Sequence, residues 1–292
     1  MELELKRGGR TARVETLGGE LVSYRDERGL EYIWGGDPDY WPGRNPLLFP
    51  IVGTLKEGKI RFDGREYAME RHGFARRREF TPAARGEDWV RLELRESAET
   101  LALYPYPFRL AVEQRLTDTG FSTAVTVANP GEGPLPFCLG AHTGFRCPLE
   151  AGERFEDYEL VFPERESCPT LLLRDGLLDR PAALPCLEDT DTLPLDYRWF
   201  DALDTLIFEG LRSRSVALRS RKSGRGVRVS FDGFPMLAFW TMPGKKAPYL
   251  CIEPWHGCAA GTAEGPEFTD KAHCIVLAPG ESRTLAYRAD TL

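Results

Sequence analysis

Histidine and positive charge are both scarce in this chain. Its 292 residues hold four His, and 38 Lys and Arg are outnumbered by 45 Asp and Glu, a formal charge of −7. Phosphate backbones demand a clustered cationic excess, so a broad nucleic-acid footprint is excluded. Nowhere is there an apolar run long enough to span a bilayer, and Met1-Glu2-Leu3-Glu4-Leu5-Lys6-Arg7 lacks the apolar segment of a secretory signal. A cytoplasmic protein with no membrane partner is expected. The seven cysteines contain no C-x-x-C, and the one close pair, Cys251 and Cys258, has no second pair to complete a structural zinc site. Reduced thiols used as small buried residues are the expectation. A phosphate-cradling G-x-x-x-x-G-K-[ST] and a G-x-S-x-G elbow are also missing. Neither a cofactor nor a metal is expected, and the oligomeric state stays open.

What the sequence does have is short alternating segments. Ala12 to Leu17, Leu21 to Tyr24, Lys59 to Phe62, Trp89 to Leu94, Leu110 to Leu116, Ser122 to Val127, Val216 to Arg219 and Val227 to Phe231 each read as half-buried strands. Gly8-Gly9, Gly18-Gly19, Asp63-Gly64, Asn129-Pro130-Gly131, Ser223-Gly224 and Asp232-Gly233 supply turns spaced for hairpins. With 29 Gly and 22 Pro, helices have little room; the best candidates, Glu96 to Leu103 and Trp199 to Leu203, are too short to organise a bundle. An all-β, antiparallel fold in a single domain spanning 1–292 is predicted.

Two of the four histidines share a context, Arg71-His72-Gly73-Phe74-Ala75-Arg76 and Gly140-Ala141-His142-Thr143-Gly144-Phe145. Each imidazole stands beside glycine, which leaves space for a ligand, and imidazole titrates nearest neutrality, which suits proton transfer to oxygen. A third segment, Tyr249-Leu250-Cys251-Ile252-Glu253-Pro254-Trp255-His256-Gly257, reads as an apolar strand ending in a carboxylate, where Pro stops the ladder. Partial desolvation of Glu253 would raise its pKa toward the range useful to a general base. Trp255 and Phe145 offer aromatic faces for a ligand ring. His256 and His273 lack a partner at metal-ligand spacing. The arginines in Arg76-Arg77-Arg78 and between Arg212 and Arg228 read as solvated strand faces, except Arg76, four residues from His72.

Taken in order, these pieces resemble the aldose 1-epimerase (galactose mutarotase) superfamily, in its shorter bacterial mutarotase-like branch. The likeness runs through Gly19-Glu20-Leu21, Glu31-Tyr32-Ile33-Trp34-Gly35-Gly36-Asp37-Pro38, Leu48-Phe49-Pro50-Ile51-Val52-Gly53, both histidine segments, Asp204-Thr205-Leu206-Ile207-Phe208, Phe234-Pro235-Met236-Leu237-Ala238-Phe239-Trp240, Cys251-Ile252-Glu253-Pro254-Trp255 and Phe268-Thr269-Asp270-Lys271. The resemblance implies a large β-sandwich with an open cleft and a small sugar as partner. It implies Glu253 as general base, His142 as general acid, His72 as the group that positions the ring-oxygen side, and Asp204, with Asp201 as the alternative, on sugar hydroxyls. Interconversion of α and β anomers of a hexose by ring opening and reclosure is the activity it implies. Two departures stand out: Gly53-Thr54-Leu55 where the family commonly has Gly-Arg-Leu, and Thr143 where Pro is usual. Lys56, Arg44 and Arg76 are candidates to replace the arginine absent at Thr54. A hexose-6-phosphate 1-epimerase, with Arg76 and a second base on the phosphate, and a non-catalytic carbohydrate-binding protein are the competing readings.

Overall fold

Alternation of buried and exposed side chains builds the first unit directly. Glu2–Arg7, Arg10–Glu15 and Glu20–Arg25 form a three-stranded antiparallel sheet. Gly8 and Gly9 join the first two strands with φ of 52° and 84°, the positive values that a two-residue hairpin loop needs and glycine adopts without strain. The computed structural model describes residues 1–292, the side chain of Pro181 excepted. All eight expected strands are present, each end lying within two residues of its expected place. The two expected helices shorten to Ala98–Leu101, capped by Ser97, and Tyr197–Leu203, capped by Asp196.

Most strands join one 15-stranded sheet whose ladders run antiparallel. Arg109–Leu116 pairs Gly120–Ala128, which pairs the C-terminal Ser282–Thr291, so distant parts of the chain close one face. A single buried cluster runs from Leu3 to Ala289 beneath these strands. A second, mostly aromatic cluster holds Trp34, Tyr249 and Cys251, with Tyr40, Trp41 and Trp240 packed against it. No helix among the described residues is long and apolar enough to cross a membrane. All seven cysteines are free thiols, five of them buried. Arg219 and Arg225 pair with Glu159 and Glu150 at the surface, as solvated strand faces do.

One large element lies outside the sequence expectations. Tyr158–Arg174 and Leu177–Pro194 form a long hairpin. Asp175-Gly176 turns it, with φ of 53° and 77°, the chemistry of a tight two-residue loop. Prolines that read as strand breakers sit where its register shifts: Pro163 between the pairs of Val161 and Glu166, and Pro169 between those of Cys168 and Thr170. A bulge leaves a residue outside the ladder, so a missing N–H there removes no bond. The hairpin tip is tied down by backbone bonds from Leu178 N to Ala260 O (2.9 Å) and from Thr262 N to Leu178 O (2.9 Å).

Candidate active site

Register, more than loop geometry, brings the proton-transfer groups together. Along the strand Tyr249–His256, Leu139 pairs with His256 and Gly140 with Trp255, while Thr143 pairs with Ile252 and Gly144 with Cys251. The same register sets His142 opposite Glu253 and Ala141 opposite Pro254. Pro254 has no N–H to give, so the ladder lapses at this step and the facing chain divides into Leu139–Ala141 and Thr143–Arg146. The strand does not stop at Pro254, as its proline suggests, but continues to His256 and pairs Leu237 on its other side. Glu253 is thus a mid-strand residue beside the small Ala238. Side chains directly opposite on one face lie within reach of each other, and His142 Nε2 is 3.3 Å from Glu253 Oε1.

His72 arrives from a separate loop. Its backbone sits at φ 68°, a left-handed conformation uncommon outside glycine and concentrated where function over-determines geometry. The loop is held on both sides of the ring: His72 N–H donates to Gly53 O (2.9 Å), and Gly53 N–H donates to His72 Nδ1 (3.0 Å). The two imidazoles meet edge to face with centroids 5.6 Å apart. Trp41 stacks on His142 at 4.8 Å and Trp240 approaches its edge at 5.6 Å, so aromatic walls fix the ring.

These groups open onto one cleft, with Thr54, Asp204, Trp240 and Trp255 among its lining and the hairpin tip at Gly176 reaching its rim. Asp204 takes hydrogen bonds from Thr205 Oγ1 (3.1 Å) and Trp240 Nε1 (3.4 Å). Asp201 is engaged elsewhere, accepting from Gly244 N (2.7 Å), which settles the choice between the two in favour of Asp204 as the cleft residue. Trp255 lines the cleft, and its indole favours the charged form of Glu253. Trp255 Nε1 and Glu253 Oε2 are both buried without a partner of good hydrogen-bond geometry among the described residues. Phe145 is fully buried core and offers no face to a ligand.

Burial dominates the electrostatics. Glu253 is 1% exposed, His142 7% and His72 5%. Desolvation pushes the Glu253 carboxyl well above its ordinary value, opposed by the charge of Arg71. It lowers His142 to about 3, with Arg71 acting in the same direction, and takes His72 well below the usual imidazole range. Cys251, two residues from Glu253 on the same strand face, completes with His142 and Glu253 a group whose ligand atoms lie within 4.8 Å of one another. Burial raises both the thiol and the carboxyl, so a metal ion there would first have to displace protons.

The arginine of the cleft is Arg71, which sequence reasoning passed over. Arg76 does not line the cleft; its Nη2 donates to Arg71 O (2.8 Å) and braces the loop from behind. Lys56 is bonded to the Glu264 carbonyl, and Arg44 Nε to that of Gly35 (3.0 Å), so none of the three expected substitutes faces the site. Adjacency to His72 was the available signal: a left-handed residue swings its predecessor's side chain away from an ordinary alternation. The glycines also differ from expectation. A Cβ at Gly140 would meet Trp255 at 2.9 Å, one at Gly144 would meet Trp41 at 3.0 Å, and one at Gly73 would strike Phe49 O at 2.2 Å. They admit neighbouring aromatic and backbone atoms rather than a ligand.

Known proteins carry the same architecture. The family model described as Aldose 1-epimerase matches residues 1–289. Protein LacX (plasmid) of Lactococcus lactis subsp. lactis is 40% identical over 295 residues, covering 98% of each chain. A galactose mutarotase related enzyme from Lactobacillus acidophilus superposes with TM-score 0.95 at 27% identity, over 100% of this chain and 97% of its own. A galactose mutarotase-like protein from Lactobacillus casei gives TM-score 0.93 at 27% identity over 100% of both chains. The fold is therefore the galactose mutarotase-like β-sandwich, and the chain belongs to the aldose 1-epimerase family.

Proposed function

We propose that the protein, read as one domain over 1–292, is an aldose 1-epimerase that interconverts the anomers of a free aldohexose, with Glu253 as base and His142 as acid. The observation that carries this reading is the buried pair His142 Nε2–Glu253 Oε1 at 3.3 Å on the cleft floor. The two oxygens bonded to an anomeric carbon are close enough for one such pair to serve both. Glu253 takes the proton of the C1 hydroxyl while His142 delivers one to the ring oxygen. The C1–ring oxygen bond breaks, the C1–hydroxyl oxygen bond becomes a carbonyl, and rotation about C1–C2 presents the other face for reclosure.

Proton bookkeeping makes the pair self-sufficient. Carboxylate with imidazolium and carboxylic acid with neutral imidazole hold the same number of protons, so ring opening converts the first form to the second without exchange with solvent. Burial favours the second, uncharged form, which is the one that accompanies the open chain. The site is thereby biased toward the intermediate and away from the cyclic ground state, the direction in which binding energy accelerates a reaction. Asp204 accepts sugar hydroxyls, Trp255 and Trp240 flank the ring, and Thr54 contributes a small polar wall. A free sugar is favoured over a phosphorylated one because Arg71 is the single cationic side chain lining the cleft. Anomer exchange followed by polarimetry or NMR on free and phosphorylated hexoses tests the proposal: acceleration of a free hexose supports it, and exchange at the spontaneous rate on every sugar refutes it.

A further inference from the structure

The His72 ring faces two hydrogen-bond donors, and a neutral imidazole can accept from only one. Gly53 N–H occupies Nδ1 at 3.0 Å, so Nδ1 carries no proton and the ring's one N–H is on Nε2. Gly53 cannot yield: its φ is 73°, it also accepts the His72 N–H, and a Cβ there would lie 2.5 Å from Ala259. Arg71 Nε lies 3.2 Å from His72 Nε2, which sets donor against donor. The Arg71 side chain is solvent-facing, and among the described residues its Nη groups bond nothing and it joins no ion pair. Whatever relieves the opposition must come from outside the protein.

We infer that Arg71 and His72 form a seat made only of donors, which holds an oxygen with no proton of its own. Such an oxygen placed between Nε2–H and the guanidinium accepts from both and turns an unfavourable contact into two charge-assisted or neutral hydrogen bonds. This deepens the mutarotase reading and rests on it for the identity of the oxygen. In a cyclic aldose every hydroxyl oxygen carries a proton, and the ring oxygen is the one pure acceptor. A phosphoryl oxygen has the same chemistry and is the other source. Asp204, an acceptor across the cleft, complements the hydroxyls, so the two sides of the site sort sugar oxygens by proton content.

Ligands that cannot mutarotate separate this inference from the catalytic one. A 1,5-anhydrohexitol keeps the ring oxygen but has no anomeric hydroxyl; its carbocyclic analogue replaces that oxygen by CH2; its 6-phosphate adds the phosphoryl source. Affinities measured by NMR titration for wild type, Arg71→Lys and Arg71→Met decide it, together with 15N shifts of the His72 ring. The anhydrohexitol is expected to bind wild type about 10- to 100-fold tighter than the carbocycle, the range of a hydrogen bond to a charged group. Arg71→Met should erase most of that ratio and Arg71→Lys should restore part. If the seat takes phosphoryl oxygen, the 6-phosphate shows the gain and Arg71→Met removes it. Affinities for all three ligands unchanged in Arg71→Met, or a free-state His72 carrying its proton on Nδ1, overturn the inference. Inactive wild type with an intact ring-oxygen preference would refute the mutarotase reading and leave the seat standing.

Discussion

Replacing Glu253 by Gln should weaken catalysis and strengthen the fold, with the second effect growing as pH rises. The carboxyl is 1% exposed, and burial lifts it well above its ordinary value of 4.5. A carboxyl raised in the folded state is bound to its proton more tightly there than in the unfolded chain. Its contribution to stability is therefore complete below about pH 4.5 and is lost as pH climbs toward the folded value. The roughly 2.5 pH units from there to neutrality, at about 1.4 kcal/mol each, set a ceiling of about 3.4 kcal/mol on that loss at pH 7. Glutamine keeps the shape and cannot ionise, so it escapes the loss. Denaturant or calorimetric unfolding of wild type and Glu253→Gln at pH 4.5 and pH 7.5 measures it. The variant's relative stability should rise between the two by up to that ceiling, while kcat falls about 10²- to 10⁴-fold, the usual contribution of a general base. A stability difference that stays flat or shrinks with pH would refute the account of Glu253 as a desolvated carboxyl.

His142→Asn should lower turnover on the same scale, and the double variant with Glu253→Gln should lose little more than the worse single one, because the two act on one proton exchange; steady-state kinetics on all three checks this. Gly144→Ala should destabilise by about 1–3 kcal/mol, since its Cβ would press on Trp41 at 3.0 Å and Trp34 at 3.1 Å. It should also slow turnover through the Trp41–His142 stack, both readable by unfolding and kinetics. Thr54→Arg should not lower the Michaelis constant of a free hexose while Arg71 is present, because a second guanidinium would enter a cleft that already holds one; a clear drop would show that Arg71 does not hold substrate.

Much of the fold was legible because half-buried strands repeat every two residues and glycine pairs mark their turns. The long hairpin was hidden because Pro163 and Pro169 read as breakers when seen without the bulges that accommodate them. Within the site, His142 and Glu253 could be picked out as residue types, yet the fact that they face each other depends on pairing between segments more than a hundred residues apart. No local pattern encodes that register. Arg71 escaped notice because its direction is set by the left-handed backbone of His72, and Trp41 because nothing near it in sequence points to a histidine far along the chain. Glycine beside histidine suggested room for a ligand; the neighbouring strands and rings had already taken that room.

The measurement that tests the central claim most directly is anomer exchange by wild-type protein, free of added metal or nucleotide, on a panel of free aldohexoses and their 6-phosphates. Two-dimensional exchange NMR reads each anomer pair above the slow spontaneous background. At least one free hexose should exchange faster in proportion to protein concentration, with Glu253→Gln returning that rate to within reach of the background. If no sugar is accelerated, or if Glu253→Gln matches wild type on every sugar that is, the buried His142–Glu253 pair is not the engine proposed for it.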